Sequence, residues 1–437
     1  MTLTEAAFWT KRFGVILLGF FSVLFIIVLI VSKPFGGEEP PQRYITATCS
    51  CTDLKDEFLE NILTIPSLEL LPESNPAYVI QTASGTLEYG VDAVNVYKYT
   101  DLGQPLDAQA QAKILAKKMG FEPDRIIRRG TTEYLWYDGN TDRSLSITAR
   151  DLNFSFTTEI AKIRDIRKNN DLPSRNEAIS IAINTLRSLG VLDQGYTETE
   201  PLAYEIDINP DGSYSQADSA GNAELIRVDF YKRVPMVSIR KDYVNAERMI
   251  RSLTKEELPY TVGSVVTDDG RVEVYNFERL ITYQNPNKSN ISVYVGPENE
   301  DAKILKNIYQ IDFKTWDIEP ESCGTYPLIS PAIAEEKIKN GEGSIVFINY
   351  QEDEVQEYSP QDVKMFTITD VTLTYYEGLN EQLFLQPVYL YSGTAELKNS
   401  NRVDFFIYYP AISYESVTDK VEVEEPEIKN DGGLLSF

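Results

Sequence analysis

A run of twenty residues without a single charge, Phe13 to Ser32 (FGVILLGFFSVLFIIVLIVS), limits this chain more than any other stretch. As a helix rising about 1.5 Å per residue, it matches the roughly 30 Å hydrocarbon core of a bilayer. The run predicts one membrane-spanning helix over 13–32, a cytoplasmic tail over 1–12, and residues 33–437 outside the cytoplasm. Lys11 and Arg12 precede the run and Glu38 and Glu39 follow it, which sets that orientation, although Glu5 and Lys33 reduce the contrast. A cleaved signal peptide is the rival reading. Its apolar core usually spans about 7–15 residues and ends in a small-residue site, which VSKPFGG does not supply. A lipoprotein signal fits less well, because Cys49 lies far past the run and follows Thr46, Ala47 and Thr48.

The chemistry open to the exported part is narrowed by what it lacks. There is no histidine, so Ser-His-Asp and Cys-His catalysis and every histidine-based zinc site are out of reach within this chain. A net charge of −26 repels phosphate backbones and anionic lipid surfaces, which argues against nucleic-acid partners. The three cysteines, Cys49, Cys51 and Cys323, are too few for a disulfide framework. Cys323 could pair with either of the others, or Cys49 and Cys51 could close their own tight loop. A redox role would need an electropositive setting, yet Asp53, Asp56 and Glu57 follow closely.

Beyond the apolar run, the sequence reads as an α+β chain of several units, each one helix packed on an antiparallel sheet. Residues 33–75 form a linker or stalk, starting with the Pro/Gly/Glu-rich KPFGGEEPPQR. Within it Leu54 to Leu63 could be a short helix. The units are 76–165, 166–257 and 321–414, with a strand-rich segment at 258–320. Each unit opens on a polar cap and its helix closes on glycine: Asp107 to Gly120, Ser174 to Gly190, and Ser330-Pro331 to Gly341. Ser174-Arg-Asn-Glu177 is a capping box. The starts are unevenly spaced, which excludes a fixed-period solenoid. EYLWY (133–137) and RSLSIT (143–148) flank a turn at Asp138-Gly139-Asn140, and Phe154 and Phe156 alternate with Ser155 and Thr157, all read as strands. A phase slip between Phe366/Ile368 and Val371/Leu373/Tyr375 predicts a β-bulge near Thr369 or Asp370. Pro387 predicts an edge or bulged strand. Asp268-Asp269-Gly270 predicts a hairpin turn. The acidic tail, 415–437, lacks a core pattern and reads as disordered.

Few motifs carry chemistry. Asp207, Asn209, Asp211, Ser213, Ser215 and Asp218, with Gly212 between, match calcium-loop spacing. Position 12 of that loop is Asp rather than Glu, and the flanks read as strands, so the competing reading is a long hairpin loop around Pro210-Asp211-Gly212. Ser252-Leu-Thr-Lys255 matches S-x-x-K, but S-D-N and K-T-G are absent from the sequence, and Thr254 to Glu257 reads instead as a helix-opening capping box. Gly341-Glu-Gly343 follows a helix, the wrong context for a dinucleotide loop. Asn153, Asn287 and Asn290 fit N-x-[ST]. The 27 tyrosines suit sheet packing as readily as ligand binding. No catalytic residue and no cofactor emerges beyond the calcium candidate.

In the last unit, SPAIAEEKIKNG (330–341) is followed by ITDVTLTYYEG, LFLQPVYLYSG and RVDFFIYYPAI. That order resembles the C-terminal module of the YycH/YycI-type extracytoplasmic regulators, and more loosely PepSY-like helix-plus-sheet repeats. The resemblance implies a membrane-anchored bacterial protein that acts through contacts with a membrane sensor kinase. No functional residue carries over, because the matched positions are packing positions. The expected function is a non-enzymatic interaction or signalling-regulatory module of the cell envelope. Its partners would be the bilayer, through 13–32, and an envelope or membrane protein. The alternative is a cell-wall sugar-binding protein or a carboxylate-dependent glycan hydrolase.

Overall fold

The computed structural model describes residues 47–51, 63–81, 91–100, 103, 105–159, 171–209, 214–217, 222–243, 245–267, 270–348, 359–379, 382–399 and 401–413. The chain starts in one sheet with β1 (Ala77–Ile80) and β2 (Ala93–Lys98). It then builds a second sheet from α1 (Ala108–Lys118), β3 (Ile127–Arg129), β4 (Glu133–Asp138), β5 (Arg143–Thr148), β6 (Phe154–Thr158), α2 (Arg175–Leu189), α3 (Gln194–Thr197), β7 (Leu202–Ile208), β8 (Tyr214–Gln216) and β9 (Leu225–Phe230). It returns to the first sheet for β10 (Arg233–Arg240), α4 (Ala246–Lys255), β11 (Tyr260–Thr267) and β12 (Gly270–Thr282). The second sheet gains β13 (Ile291–Val295) and β14 (Ile308–Phe313). The first is completed by β15 (Gly324–Pro327), α5 (Pro331–Lys339), β16 (Ser344–Ile348), β17 (Val363–Tyr376), β18 (Phe384–Leu397) and β19 (Arg402–Pro410).

The expected fold class, several helix-on-sheet units in tandem, is corrected by this arrangement. The described residues form one ten-stranded and one nine-stranded sheet, with strand far outweighing helix. The nine-stranded sheet, in the order β3-β4-β5-β6-β14-β13-β9-β7-β8, joins strands more than a hundred residues apart: β6 pairs β14. In the other sheet β1 runs parallel to β17. Helix signals are local and easily read, whereas partner choice between strands depends on contacts far along the chain. The membrane-spanning, single-pass expectation is corrected to this extent: among the described residues no helix is long and apolar enough to cross a membrane. Residues 1–12, 13–32 and 415–437 lie outside the described residues, as does the helix expected at 54–63 apart from Leu63.

Helices α1 and α2 cover one face of the nine-stranded sheet. Ala108, Ala112, Leu115, Ala116, Ala178, Ala182, Leu186 and Leu189 meet Trp136, Leu145, Ile147, Phe156, Val228, Val293 and Ile311 in one core. The small alanines bring each helix axis close to the sheet. The Ser174 capping box forms, and Gly190 closes α2 in the left-handed region at φ 80°. Arg143 is buried in the same layer and donates to the carbonyls of Ile304, Leu305 and Ile308 at 2.8, 3.0 and 3.2 Å, while burial pulls its pKa down.

Tyrosine fills the ten-stranded sheet. Of the eleven largest fully buried side chains in the described residues, nine are tyrosines, and six of these (Tyr326, Tyr375, Tyr376, Tyr389, Tyr391 and Tyr408) lie on its strands. Their hydroxyls reach backbone carbonyls: Tyr375 to Asn95 (2.6 Å), Tyr389 to Ile329 (2.9 Å), Tyr408 to Tyr283 (2.9 Å). Packing therefore accounts for much of the tyrosine content. The expected bulge appears as a register shift between Ile368 and Asp370. Opposite it, a Cβ at Gly393 would run into the Thr367 carbonyl. Pro387 differs from its expected edge position. Strand β18 lies between β17 and β19, and Pro387 falls just past the last β18–β19 pair, Val388 with Pro410. Its missing N–H thus costs no ladder bond, and its carbonyl accepts from Ala411 N at 3.1 Å.

Segment 47–51, placed in the stalk by sequence, docks on β15. Cys51 is bonded to Cys323, Thr48 N and Cys49 N donate to Thr325 O at 3.0 and 3.1 Å, and Ser50 Oγ donates to Cys323 O at 2.7 Å. Leu63 and Ile65 are buried against Val346, Tyr376 and Tyr408.

Candidate functional site: an open strand edge and a junction between sheets

Strands β10, β12 and β11 form a ribbon on the ten-stranded sheet, with β12 in the middle. The β11–β12 ladder runs unbroken from Tyr260–Phe277 to Thr267–Gly270, as the Asp268-Asp269-Gly270 turn predicts. Helix α4 packs on β10 through Ala246, Met249 and Leu253. Sequence reading missed this helix and took Thr254 as a cap. Thr254 instead sits in its last turn, its hydroxyl donating to Ile250 O at 2.7 Å. The S-x-x-K residues Ser252 and Lys255 occupy that turn, and no catalytic partner is brought to them among the described residues.

Strand β11, YTVGSVVT, has seven exposed residues of eight, and no described strand pairs its outer side. Tyr260, Val262, Ser264 and Val266 share one face. Val262 is 53% and Val266 75% exposed, while Tyr260 stacks obliquely on Tyr275 and Phe277 at 6.0 and 5.3 Å. The strand carries no charge, no proline and no bulge, the features that usually keep an edge from pairing. Its sequence signal was a charge-free β-prone run of eight. Which side would stay unpaired could not be read locally.

The second candidate lies where the sheets meet. Glu377, just past β17, accepts from Tyr99 Oη at 3.2 Å and is 2% exposed. Burial raises its pKa to about 8, against smaller opposing effects of Tyr99, Asn290 and Lys232. Glu377 Oε1, Tyr283 Oη and Asn290 Nδ2 are buried without a hydrogen-bond partner among the described residues. Burial raises the Tyr99, Tyr196 and Tyr283 hydroxyls too, with the Glu377 charge adding to each. Beside this cluster is a cavity of about 240 Å³ lined by Arg150, Asp151, Asp193, Tyr196, Lys232, Trp316 and Asp317, among others. Lys232 Nζ holds Asp193 at 3.1 Å, and Tyr196 Oη shares a 2.7 Å hydrogen bond with Thr315 Oγ1. No local pattern marked Glu377, because its burial comes from three distant segments.

The calcium candidate falls on the β7–β8 hairpin, where Asp207 pairs with Ser215. Asn209 Oδ1 accepts from Ser215 Oγ at 3.2 Å, and Asp207 Oδ1 accepts from Ile208 N at 2.9 Å. Asp211, Ser213 and Asp218 lie outside the described residues. Among the described residues no group of three or more His, Cys, Asp or Glu side chains is placed to hold a metal. Of the glycosylation triplets, Asn153 and Asn290 are buried.

No protein-family model matches the chain, and no curated protein matches it significantly. A solved structure, described as an uncharacterized protein from Eubacterium rectale ATCC 33656, is similar at 12% identity with a TM-score of 0.36, covering 79% of this chain and 92% of that one. A likeness so distant assigns neither fold family nor function, and it does not bear on the YycH/YycI or PepSY resemblance.

Proposed function

We propose that the chain is a non-enzymatic interaction module of the cell envelope that binds a protein partner by strand addition at β11. The observation that carries this reading is the open, uncharged, exposed edge of Tyr260–Thr267. An edge of that kind offers a ladder of backbone donors and acceptors to an incoming strand. Placement outside the cytoplasm is supported by the Cys51–Cys323 disulfide, since such bonds persist in oxidising compartments. Tethering to a bilayer through 13–32, and a signalling role, rest on the sequence alone. The test is a photo-crosslinking residue at position 264, on the same face of β11, in the native host. A discrete crosslinked protein, lost when Val262 and Val266 are both changed to Lys, supports the reading. Crosslinking that is absent or unaffected by those changes overturns it.

A second reading, glycan binding, is favoured by one observation: the junction cavity combines Trp316 and Tyr196 with Asp151, Asp193 and Asp317. Retention of the full chain on wall glycan, abolished by Trp316→Ala, would replace the first reading with this one.

A further inference from the structure

We infer that Cys49, Cys51 and Cys323 form a disulfide-exchange switch, in which the Cys49 thiol takes over Cys323 and releases Cys51. The existing bond joins Cys51 to Cys323, and Cys49 keeps its thiol. All three residues share one apolar cluster. Cys49 and Cys51 are buried there with Val96, Tyr326, Phe384 and Ile412, and Cys323 packs against them. The switch stands apart from the β11 edge.

The strap 47–51 holds Cys49 against the strand that follows Cys323. Thr48 N and Cys49 N both donate to the Thr325 carbonyl, and Ser50 Oγ donates to the Cys323 carbonyl. The strap passes closely over Gly324, where a Cβ would lie 2.8 Å from Ser50 N and 3.0 Å from Thr48 Oγ1. Cys51 Cα is 4.6 Å from Cys323 Cα. Cys49 is two residues earlier, so its Cα lies within about 7 Å of that of Cys51. A slide of the strap by at most that spacing puts Cys49 where Cys51 now sits.

Two observations single out Cys49. Its backbone is at φ 47°, in the left-handed region that a residue other than glycine seldom adopts and that a shifted strap need not keep. The Tyr326 hydroxyl, which accepts from Cys51 N at 3.0 Å, is pushed up to about 12 by burial, with the Cys49 charge adding to the shift. That phenol therefore stands beside both cysteines and can donate to whichever one carries the thiolate.

The exchange balances within the chain. The Cys49 thiolate attacks Cys323 Sγ, and the Cys51–Cys323 bond breaks as the Cys49–Cys323 bond forms. The Cys51 thiolate then takes up the proton that Cys49 gave up. No oxidant or reductant is consumed. An electropositive setting matters most to a thiol that meets its partner from solution, whereas Cys49 meets a sulfur already held in its own cluster. The covalent anchor moves two residues toward the N-terminus, which shortens the chain leading to it by up to about 7 Å. The same move adds two residues between the anchor and Leu63, which is buried against Val346, Tyr376 and Tyr408.

The test is disulfide mapping of the full chain in detergent. The protein is held for hours at pH 8 without added thiol, the timescale of uncatalysed rearrangement, then capped with N-ethylmaleimide and digested. Wild type should carry the cap mainly on Cys49, and on Cys51 in about 1% of chains or more. Cys49→Ser should carry none on Cys51. Cys51→Ser should form the Cys49–Cys323 bond and leave no thiol to cap. A cap confined to Cys49 in the wild type, or equal capping of Cys51 with and without Cys49, overturns the inference. So does a Cys51→Ser protein, folded by circular dichroism, in which both Cys49 and Cys323 are capped.

Discussion

Replacing Glu377 by Gln should stabilise this protein, and only above acidic pH. The folded carboxyl titrates near pH 8 because burial disfavours its charge, against an ordinary value of 4.5. Between those values the unfolded chain has lost the proton and the folded chain keeps it. The unfolded state then binds fewer protons, so stability falls as pH rises, by about 1.4 kcal/mol per pH unit. The cost is absent below pH 4.5, reaches roughly 3 kcal/mol at pH 7, and levels off near 5 kcal/mol above pH 8. Glutamine keeps the shape of the protonated acid and cannot ionise. Its carbonyl can accept from Tyr99, as Glu377 Oε2 does at 3.2 Å.

Urea denaturation of both proteins at half-unit steps from pH 4.5 to 9 would measure this. The two curves should coincide near pH 4.5 and diverge with the stated slope until about pH 8, with Glu377→Gln the more stable. A constant offset across the range would refute the reasoning, since a packing effect does not depend on pH. A Glu377→Gln protein less stable at pH 8 would refute it more directly, by showing that the carboxylate is ionised and favourably held.

Other expectations follow from separate features. Cys51→Ser with Cys323→Ser should lower stability by about 2–5 kcal/mol, because the bond closes a very long loop, and reductant should bring the wild type to the same value in a thermal melt. Arg227 holds Asp229 at 3.2 Å and donates to Asn287 O at 2.8 Å, and Asp229, pushed up to about 6 by burial, is fully enclosed. Arg227→Met should therefore cost about 3–5 kcal/mol at pH 8, and adding Asp229→Asn should recover at least half of that in the same assay. Gly393→Ala should destabilise by about 1–3 kcal/mol or more, since the Thr367 carbonyl occupies the space a Cβ needs. For the β7–β8 hairpin, millimolar calcium should move the melting temperature by less than about 1 °C. A saturable shift lost in Asp207→Asn would establish the loop as a cation site.

What the sequence disclosed and what it withheld divide along the range of the interactions involved. The Ser174 box, the glycine stops at Gly190 and Gly341, the 138–140 turn and the bulge beside Thr369 each depend on a few neighbouring residues, and each was legible. The partnership of β6 with β14, of β1 with β17, and the central place of β18 depend on residues tens to hundreds of positions apart. A tandem of units was the natural reading of three capped helices, yet the chain leaves and re-enters each sheet. That weaving also produces the two candidate sites. Inserting β10–β12 between β9 and β13 gives the first sheet a ribbon whose last strand, β11, has a neighbour on one side only among the described residues. The crossings at Tyr231, Tyr283 and Asn290 bring polar groups to the junction where Glu377 is enclosed. An insertion that ended in a capped edge would have left neither an acceptor strand nor a reason for β11 to be free of charge. Ten uncharged residues between Glu257 and Asp268, in a chain with net charge −26, fit the proposal of a strand whose outer edge is kept open for a partner.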